Sequence, residues 1–171
     1  GNGSDEVLAH VFRALLRHGR PVLTPDIGYS FYPVYARLFD IALQPVPLRA
    51  DFSVDPADYV EPNGGIVIAN PNAPTGCALE LGAIRALLEA HLKSVVVVDE
   101  AYAEFRRPGT PTALTLLEAH PNLVVTRTMS KAFAMAGARV GYAVANPAVV
   151  DALRLVRLPY HLSSVTQAVA R

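Results

Sequence analysis

The stretch Val95-Val96-Val97-Val98-Asp99-Glu100 joins four consecutive β-branched residues to two carboxylates. Four such residues without polar alternation predict a strand buried on both faces, as in the middle of a parallel sheet. Further strands are predicted at 22–24, 42–48, 66–69, 123–126 and 140–144. Helical patterns lie between and after them, at 7–16, 32–39, 79–92, 147–156 and from 163 onward. This alternation predicts a three-layer α/β/α sandwich around a mostly parallel sheet.

Composition narrows the class of protein. The 171 residues suffice for one domain with a sizeable core, but not for two complete domains. Lys and Arg (15) balance Asp and Glu (15), so no net charge attracts nucleic acid or an acidic membrane surface. The single cysteine, Cys77, excludes an internal disulfide and fits a reducing compartment. The sequence has neither a membrane-spanning run nor an N-terminal signal pattern, and we expect a cytoplasmic protein.

Polar residues end three of the predicted strands. In sheets of this type, ligands bind beyond the carboxyl ends of the strands. The three segments are Asn70-Pro71-Asn72, Asp99-Glu100-Ala101-Tyr102 and Thr128-Met129-Ser130-Lys131. We therefore expect them to converge on one site.

Each of these segments also has a purely structural explanation. Asp99 could cap a helix or form a salt bridge, although a carboxylate directly after four valines needs donors or a cation if it is buried. Tyr102 could be a packing aromatic, and the turn around Asn72 a rigid support. Lys131 could be an exposed loop residue. Its apolar neighbours instead suggest burial, which lowers the pKa of a lysine and favours the neutral amine.

Two further features suit a phosphate group. The hydroxyls of Thr128 and Ser130 precede the guanidinium of Arg139, and such donors make charge-assisted bonds to phosphate. Gly3-Ser4-Asp5-Glu6 places a glycine at a predicted helix start, where free backbone amides favour an anion. The sequence contains neither a GxGxxG nor a GxxxxGK[ST] motif, so a generic nucleotide-binding domain leaves Lys131 unexplained.

These segments carry a family resemblance. Residues 128–137 resemble the cofactor-attachment signature of class-II aminotransferases. Together with NPNAPTG (70–76), DEAYAEF (99–105) and GNGSDE (1–6), they resemble the histidinol-phosphate aminotransferase family, within fold type I of the enzymes that use pyridoxal 5′-phosphate (PLP). The resemblance covers essentially the whole chain, with the motifs in the family's order.

The resemblance implies a role for each candidate residue. Lys131 matches the lysine that holds PLP covalently, and Asp99 matches the carboxylate that pairs with its ring nitrogen. Tyr102 and Asn72 match the pair that hydrogen-bonds the phenolic oxygen; Lys131, Asp99 and Tyr102 form the expected catalytic group. Tyr29 matches the aromatic that stacks on the ring. The phosphate-binding residues implied are Ser4 and Asp5 through their amides, Thr128 and Ser130 through their hydroxyls, and Arg139.

The activity implied is transfer of the amino group of L-histidinol phosphate to 2-oxoglutarate, in histidine biosynthesis, by a homodimer that binds no metal, nucleic acid or membrane. We expect residues 1–160 to form an incomplete PLP-binding large domain and residues 161–171 to begin the helix toward a missing small domain. Neither end has the pattern of a domain boundary, so we expect a piece of a longer protein, doubtful in activity when alone.

Other activities remain open on the same scaffold. An aromatic-amino-acid aminotransferase and a threonine-phosphate decarboxylase would share these motifs. A non-catalytic PLP-binding regulatory domain fused to a DNA-binding region is a third alternative, although this chain has no basic region of that kind. Only the particular residues of these motifs, which are typical of the histidinol-phosphate aminotransferase family, favour histidinol phosphate among these substrates.

Overall fold

A six-stranded sheet forms the centre of the molecule, in a computed structural model that describes residues 1–170. Its strand order is β2-β1-β3-β4-β5-β6; every neighbouring pair is parallel except the antiparallel pair β5–β6. The strands are β1 Val22–Pro25, β2 Leu43–Val46, β3 Gly65–Ala69, β4 Val95–Asp99, β5 Leu123–Thr128 and β6 Gly141–Ala145. The prediction of a mostly parallel α/β sheet is therefore confirmed.

Helices cover both faces of the sheet. They are α1 Gly3–Val11, α2 Tyr32–Leu38, α3 Leu81–Ala90, α4 Pro147–Val156 and α5 Ser164–Val169. One core cluster contains α3 side chains, and the other contains side chains of α1 and α2, with Val149 and Leu153 of α4 packed at its margin. The second half of the first predicted helix is a short π-helical stretch, Phe12–Leu16. Among the described residues, none of the helices has the length and apolarity needed to cross a membrane.

The alternation of side chains along β4 explains its unbroken apolar sequence. Val96 and Val98 belong to the core cluster on the α3 side, whereas Val97 belongs to the cluster on the α1 and α2 side. Successive side chains of a strand point to opposite faces. Asp99 continues the Val97 face, so the two carboxylates at the end of β4 diverge: Asp99 toward α1 and α2, and Glu100 toward the other layer.

Two boundaries differ in detail from the sequence expectations. Pro45 lies within β2, where the sequence suggested a broken strand; β2 is an edge strand, so a missing N–H is tolerated there. The predicted helix from 163 onward is α5, and Arg171 lies outside the described residues. The division into a large domain (1–160) and a following helix stays a prediction.

Candidate active site

One cavity of about 170 Å³ at the carboxyl ends of the strands brings most of the predicted residues together. Its lining includes nine of the ten candidates: Ser4, Asp5, Tyr29, Asp99, Tyr102, Thr128, Ser130, Lys131 and Arg139. Asn72 lines the larger, adjoining cavity of about 780 Å³, to which Tyr102 also contributes. The start of α1 and the end of β5, which are far apart in sequence, thus share one site.

Asp99 lines the smaller cavity and is only 4% exposed. Its Oδ1 accepts a hydrogen bond from Thr126 Oγ1 (2.9 Å), and its Oδ2 accepts one from Tyr32 Oη (3.0 Å). No Lys, Arg or His among residues 1–170 forms an ion pair with it. Burial raises the pKa of the Asp99 carboxyl, while these two hydroxyls oppose that change. Asp99 is thus a buried acid held by neutral donors.

The Arg139 side chain lies beside the start of α1, where the backbone amides have no intrahelical partner. Its Nη2 donates to Asn2 O (3.1 Å) and Asp5 Oδ2 (3.2 Å). Gly3 has φ +81, a left-handed conformation that favours glycine, and a side chain there would displace the guanidinium from its present position. The Arg139 side chain is 43% exposed, which leaves it accessible to an anion.

The Asp5 side chain adds a contact that the sequence did not predict. Besides pairing with Arg139, its Oδ1 accepts a hydrogen bond from Tyr29 Oη at 3.0 Å. Burial and the nearby Asp5 carboxylate raise the pKa of Tyr29 to about 12. Tyr29 therefore remains protonated at neutral pH, and its hydrogen bond to Asp5 connects the start of α1 to the Tyr29 side of the cavity.

The hydroxyls of Thr128 and Ser130 differ in their availability. Thr128 is buried; its Oγ1 donates to Val140 O (3.3 Å) and accepts from Ser130 N (3.1 Å). Ser130 Oγ is half-buried and lies 3.5 Å from Arg139 Nη1. Since the Thr128 hydroxyl is already engaged with the backbone, Ser130 is the better placed donor for a ligand beside Arg139.

Lys131 does not have the burial expected from its neighbours. It is exposed, in an irregular segment that follows β5, with Nζ 5.5 Å from the centroid of the Tyr102 ring. The expectation of a buried lysine is wrong for this chain, because the following residues, Ala132 to Ala134, are themselves exposed and do not cover it. Its position on the cavity wall is as expected.

Asn72 is buried and oriented by its surroundings. Its Nδ2 donates to Ile27 O (2.9 Å) and Thr75 Oγ1 (3.0 Å). Its Oδ1 is buried and accepts no hydrogen bond from the described residues. Its predicted contact with a ligand in the Asp99 cavity therefore stays a prediction.

Comparison with known sequences decides the family. The sequence model of aminotransferase class I and II matches residues 1–171. The chain belongs to this aminotransferase family. Among the described residues, no cluster of His, Cys, Asp and Glu has the arrangement of a metal site.

Several aminotransferases are similar to this chain. It is 55% identical to histidinol-phosphate aminotransferase 1 of Pseudomonas fluorescens, over 92% of the chain and 44% of that protein. It is 57% identical to the enzyme of the same name from Gluconacetobacter diazotrophicus, over 92% of the chain and 43% of that protein. The solved histidinol-phosphate aminotransferase of Sinorhizobium meliloti, in complex with PLP, is 28% identical with a TM-score of 0.90, over 99% of this chain and 48% of that one. The chain thus spans less than half the length of the curated relatives it matches.

A buried ionic network lies behind the site in this aminotransferase chain. Glu100 is fully buried. Its carboxylate accepts hydrogen bonds from Arg127 Nη2 (2.6 Å), Thr112 Oγ1 (2.7 Å), Ala113 N (2.8 Å) and Arg106 Nη1 (3.2 Å). The network joins β4, β5 and the segment between them on the face opposite Asp99. The sequence analysis missed this role of Glu100.

The Glu100→Ala variant should be strongly destabilised. Removing one partner of a buried ion pair leaves the other charges uncompensated, at a cost of about 3–5 kcal/mol in the free energy of unfolding. Urea denaturation of the cofactor-free protein measures this loss of unfolding free energy. Arg154→Ala removes an exposed pair with Asp151 and is the matched control, expected to change little. Equal unfolding midpoints for Glu100→Ala and the parent would contradict this role.

Proposed function

We propose that the protein is a PLP-dependent aminotransferase that converts L-histidinol phosphate and 2-oxoglutarate to imidazole acetol phosphate and glutamate. The observation that carries the proposal is the cavity on which Lys131, Asp99 and Arg139 meet. The names of the similar proteins and the PLP complex of the Sinorhizobium meliloti relative support it. Among the alternatives considered from the sequence, the curated relatives give no support to another substrate.

The donors and acceptors of the cavity suit PLP. This cofactor has a phosphate at one end and a basic ring nitrogen at the other. Arg139, Ser130 and the amides of Ser4 and Asp5 would hold the phosphate, with Thr128 supporting Ser130. Asp99, a buried carboxylate without a cationic partner among the described residues, would hold the protonated ring nitrogen. Charge-assisted bonds at both ends would fix the ring between them.

The middle of the cavity supplies the remaining contacts. Tyr29 and Tyr102 line its walls, where one would lie against the ring and the other would donate to the phenolic oxygen. Asn72 lies on the neighbouring cavity beside Tyr102, and we propose that its amide nitrogen donates to the same oxygen. Lys131 Nζ, next to the Tyr102 ring, would form the covalent link.

Each residue then has a chemical task. Bound PLP supplies an electron sink for the electron pair left on the substrate α-carbon. Asp99 would hold a proton at the ring nitrogen, which maintains the positive charge on which that sink depends. The Lys131 amine would remove the proton from the substrate α-carbon as a general base. Arg139 and Ser130 keep the phosphate fixed throughout.

The wider assignments belong to the same proposal. We propose that residues 1–160 form the PLP-binding domain, that the active protein is a homodimer, and that it works in the cytoplasm. The substrates would be small: an amino donor and 2-oxoglutarate. The family membership and the biosynthetic names of the relatives support these points.

The Arg139→Ala variant should bind PLP more weakly, with a smaller change in kcat once PLP saturates the enzyme. The phosphate contact is the same before and during the reaction, so its loss removes uniform binding. We expect the PLP dissociation constant to rise by about tenfold or more, as for loss of a hydrogen bond to a charged group. Arg139→Lys should recover part of the affinity, because it keeps the charge but not the planar fork. PLP titration of each apoprotein, then saturated turnover, measures both; unchanged affinity in Arg139→Ala would contradict the assignment.

Substrate turnover tests the proposed reaction. The purified full-length protein with PLP and 2-oxoglutarate should form glutamate much faster with L-histidinol phosphate than with L-phenylalanine. It should release no carbon dioxide from L-threonine phosphate. Preference for phenylalanine would show an aromatic-amino-acid aminotransferase instead, and decarboxylation would show a threonine-phosphate decarboxylase. PLP binding without turnover of any of these compounds would favour a regulatory domain.

A further inference from the structure

Tyr32 connects two parts of the candidate site. It lies in α2, is 1% exposed, and donates its hydroxyl to Asp99 Oδ2 at 3.0 Å. Its ring meets that of Tyr29 edge-on, with centroids 5.4 Å apart, and stacks on Phe12 at 6.3 Å. Tyr32 does not line the cavity itself, so it acts on a ligand there only through Asp99 and Tyr29.

Thr126 holds the other oxygen of the same carboxylate. It is fully buried in β5, in register with Asp99 of β4, and its Oγ1 donates to Asp99 Oδ1 at 2.9 Å. One donor thus comes from the sheet and the other from the helical layer. Because each oxygen has its own hydroxyl partner, rotation of the Asp99 carboxylate about its Cβ–Cγ bond is restricted.

These donors also favour the charged form of Asp99. A buried carboxylate without a cationic partner is unfavourable unless hydrogen bonds compensate. Both hydroxyls are neutral, so they support the anion without neutralising it. A lysine or arginine paired with Asp99 would compete with a protonated ring nitrogen for the carboxylate. Two neutral hydroxyls do not compete in this way.

We propose that Tyr32 and Thr126 are positioning residues that keep the Asp99 carboxylate charged and aimed into the cavity, ready to hold the proton on the cofactor's ring nitrogen. The inference rests on the proposed function and deepens it. Tyr32 contributes a second effect, since the same side chain packs on Tyr29 and so links the two groups expected around the ring. Supporting contacts of this kind fix the geometry of a functional group.

The test compares PLP with its 1-deaza analogue, in which a carbon replaces the ring nitrogen. The variants are Tyr32→Phe, which keeps the ring packing, and Thr126→Val, with Thr126→Ser as the conservative variant that retains the hydroxyl. Tyr59→Phe is the matched control: Tyr59 is also buried, and its hydroxyl has no partner among the described residues. Dissociation constants of both compounds are measured for each purified apoprotein.

The parent should bind PLP more tightly than the analogue. In Tyr32→Phe and Thr126→Val, the dissociation constant of PLP should rise by about fivefold or more, while that of the analogue changes little, because the lost hydroxyls act through the ring nitrogen. Thr126→Ser and Tyr59→Phe should behave like the parent. If Tyr32→Phe proves unstable, the comparison of Thr126→Val with Thr126→Ser is sufficient to test the positioning role.

Two other outcomes have distinct meanings. Equal losses for PLP and the analogue, or no loss for either, would overturn the positioning role but leave the proposed function intact. A parent that binds PLP no better than the analogue would also overturn the positioning role, because Asp99 would then have no ring-nitrogen contact to support. A parent that does not bind PLP would overturn both the positioning role and the proposed function.

Discussion

The Lys131→Ala variant is expected to show the largest loss of activity of any single substitution in this chain. In the proposed mechanism, Lys131 Nζ forms the covalent link and then carries the substrate proton. General acid–base catalysis contributes up to about 10⁴-fold to a rate, so kcat should fall by about 10⁴ or more. Steady-state formation of glutamate measures the loss, with PLP at saturation.

Lys93→Ala is the matched control, since Lys93 is the only other lysine and is exposed in the turn after α3. It should retain the activity of the parent. A small primary amine such as methylamine, added to Lys131→Ala, should restore part of the turnover by accepting the proton in place of the side chain. Near-normal activity of Lys131→Ala without added amine would exclude Lys131 from the chemistry.

The Asp99→Ala variant should have the second-largest effect. It removes the only carboxylate proposed to hold the proton on the ring nitrogen, in a site where burial strengthens electrostatic interactions. We expect kcat to fall by about 10²–10³, the range seen when one electrostatic contact to the reacting system is removed. PLP should still bind through Arg139 and Lys131. Saturated turnover, measured with the PLP content of each sample, separates the two effects.

Asp99→Glu and Asp151→Ala complete this comparison. Asp99→Glu keeps the charge in a displaced position and should retain more activity than Asp99→Ala. Asp151, exposed on α4, should tolerate alanine without loss. If Asp99→Ala turned over like the parent, Asp99 would be a structural residue held by Tyr32 and Thr126, and the proposed mechanism would lose its ring-nitrogen partner.

The sheet could be predicted because its signal is local. The valine run at 95–98 can be satisfied only by burial on both faces, and β4 has that environment. The polar ends of β3, β4 and β5 could be located in the same way, since the carboxyl ends of parallel strands meet at one edge. The family resemblance, rather than periodicity, supplied the individual roles of the side chains there.

The supporting contacts could not be predicted in this way. In the sequence, Tyr32 is one of several aromatic residues in a predicted helix. Its hydrogen bond to Asp99 joins residues 67 positions apart. Thr126 carried a weak signal, because it ends the predicted strand 123–126, and in the structure it pairs in register with Asp99. The burial of Lys131 was predicted wrongly because apolar neighbours in sequence need not cover a side chain in an irregular segment.

The most direct test of the central claim is to identify the lysine that holds PLP. The purified protein, incubated with PLP and reduced with borohydride, is digested and analysed by mass spectrometry. The account predicts a pyridoxyl adduct on Lys131 and none on Lys93. An adduct on Lys93 alone, or a reduced protein carrying no pyridoxyl group, would contradict it.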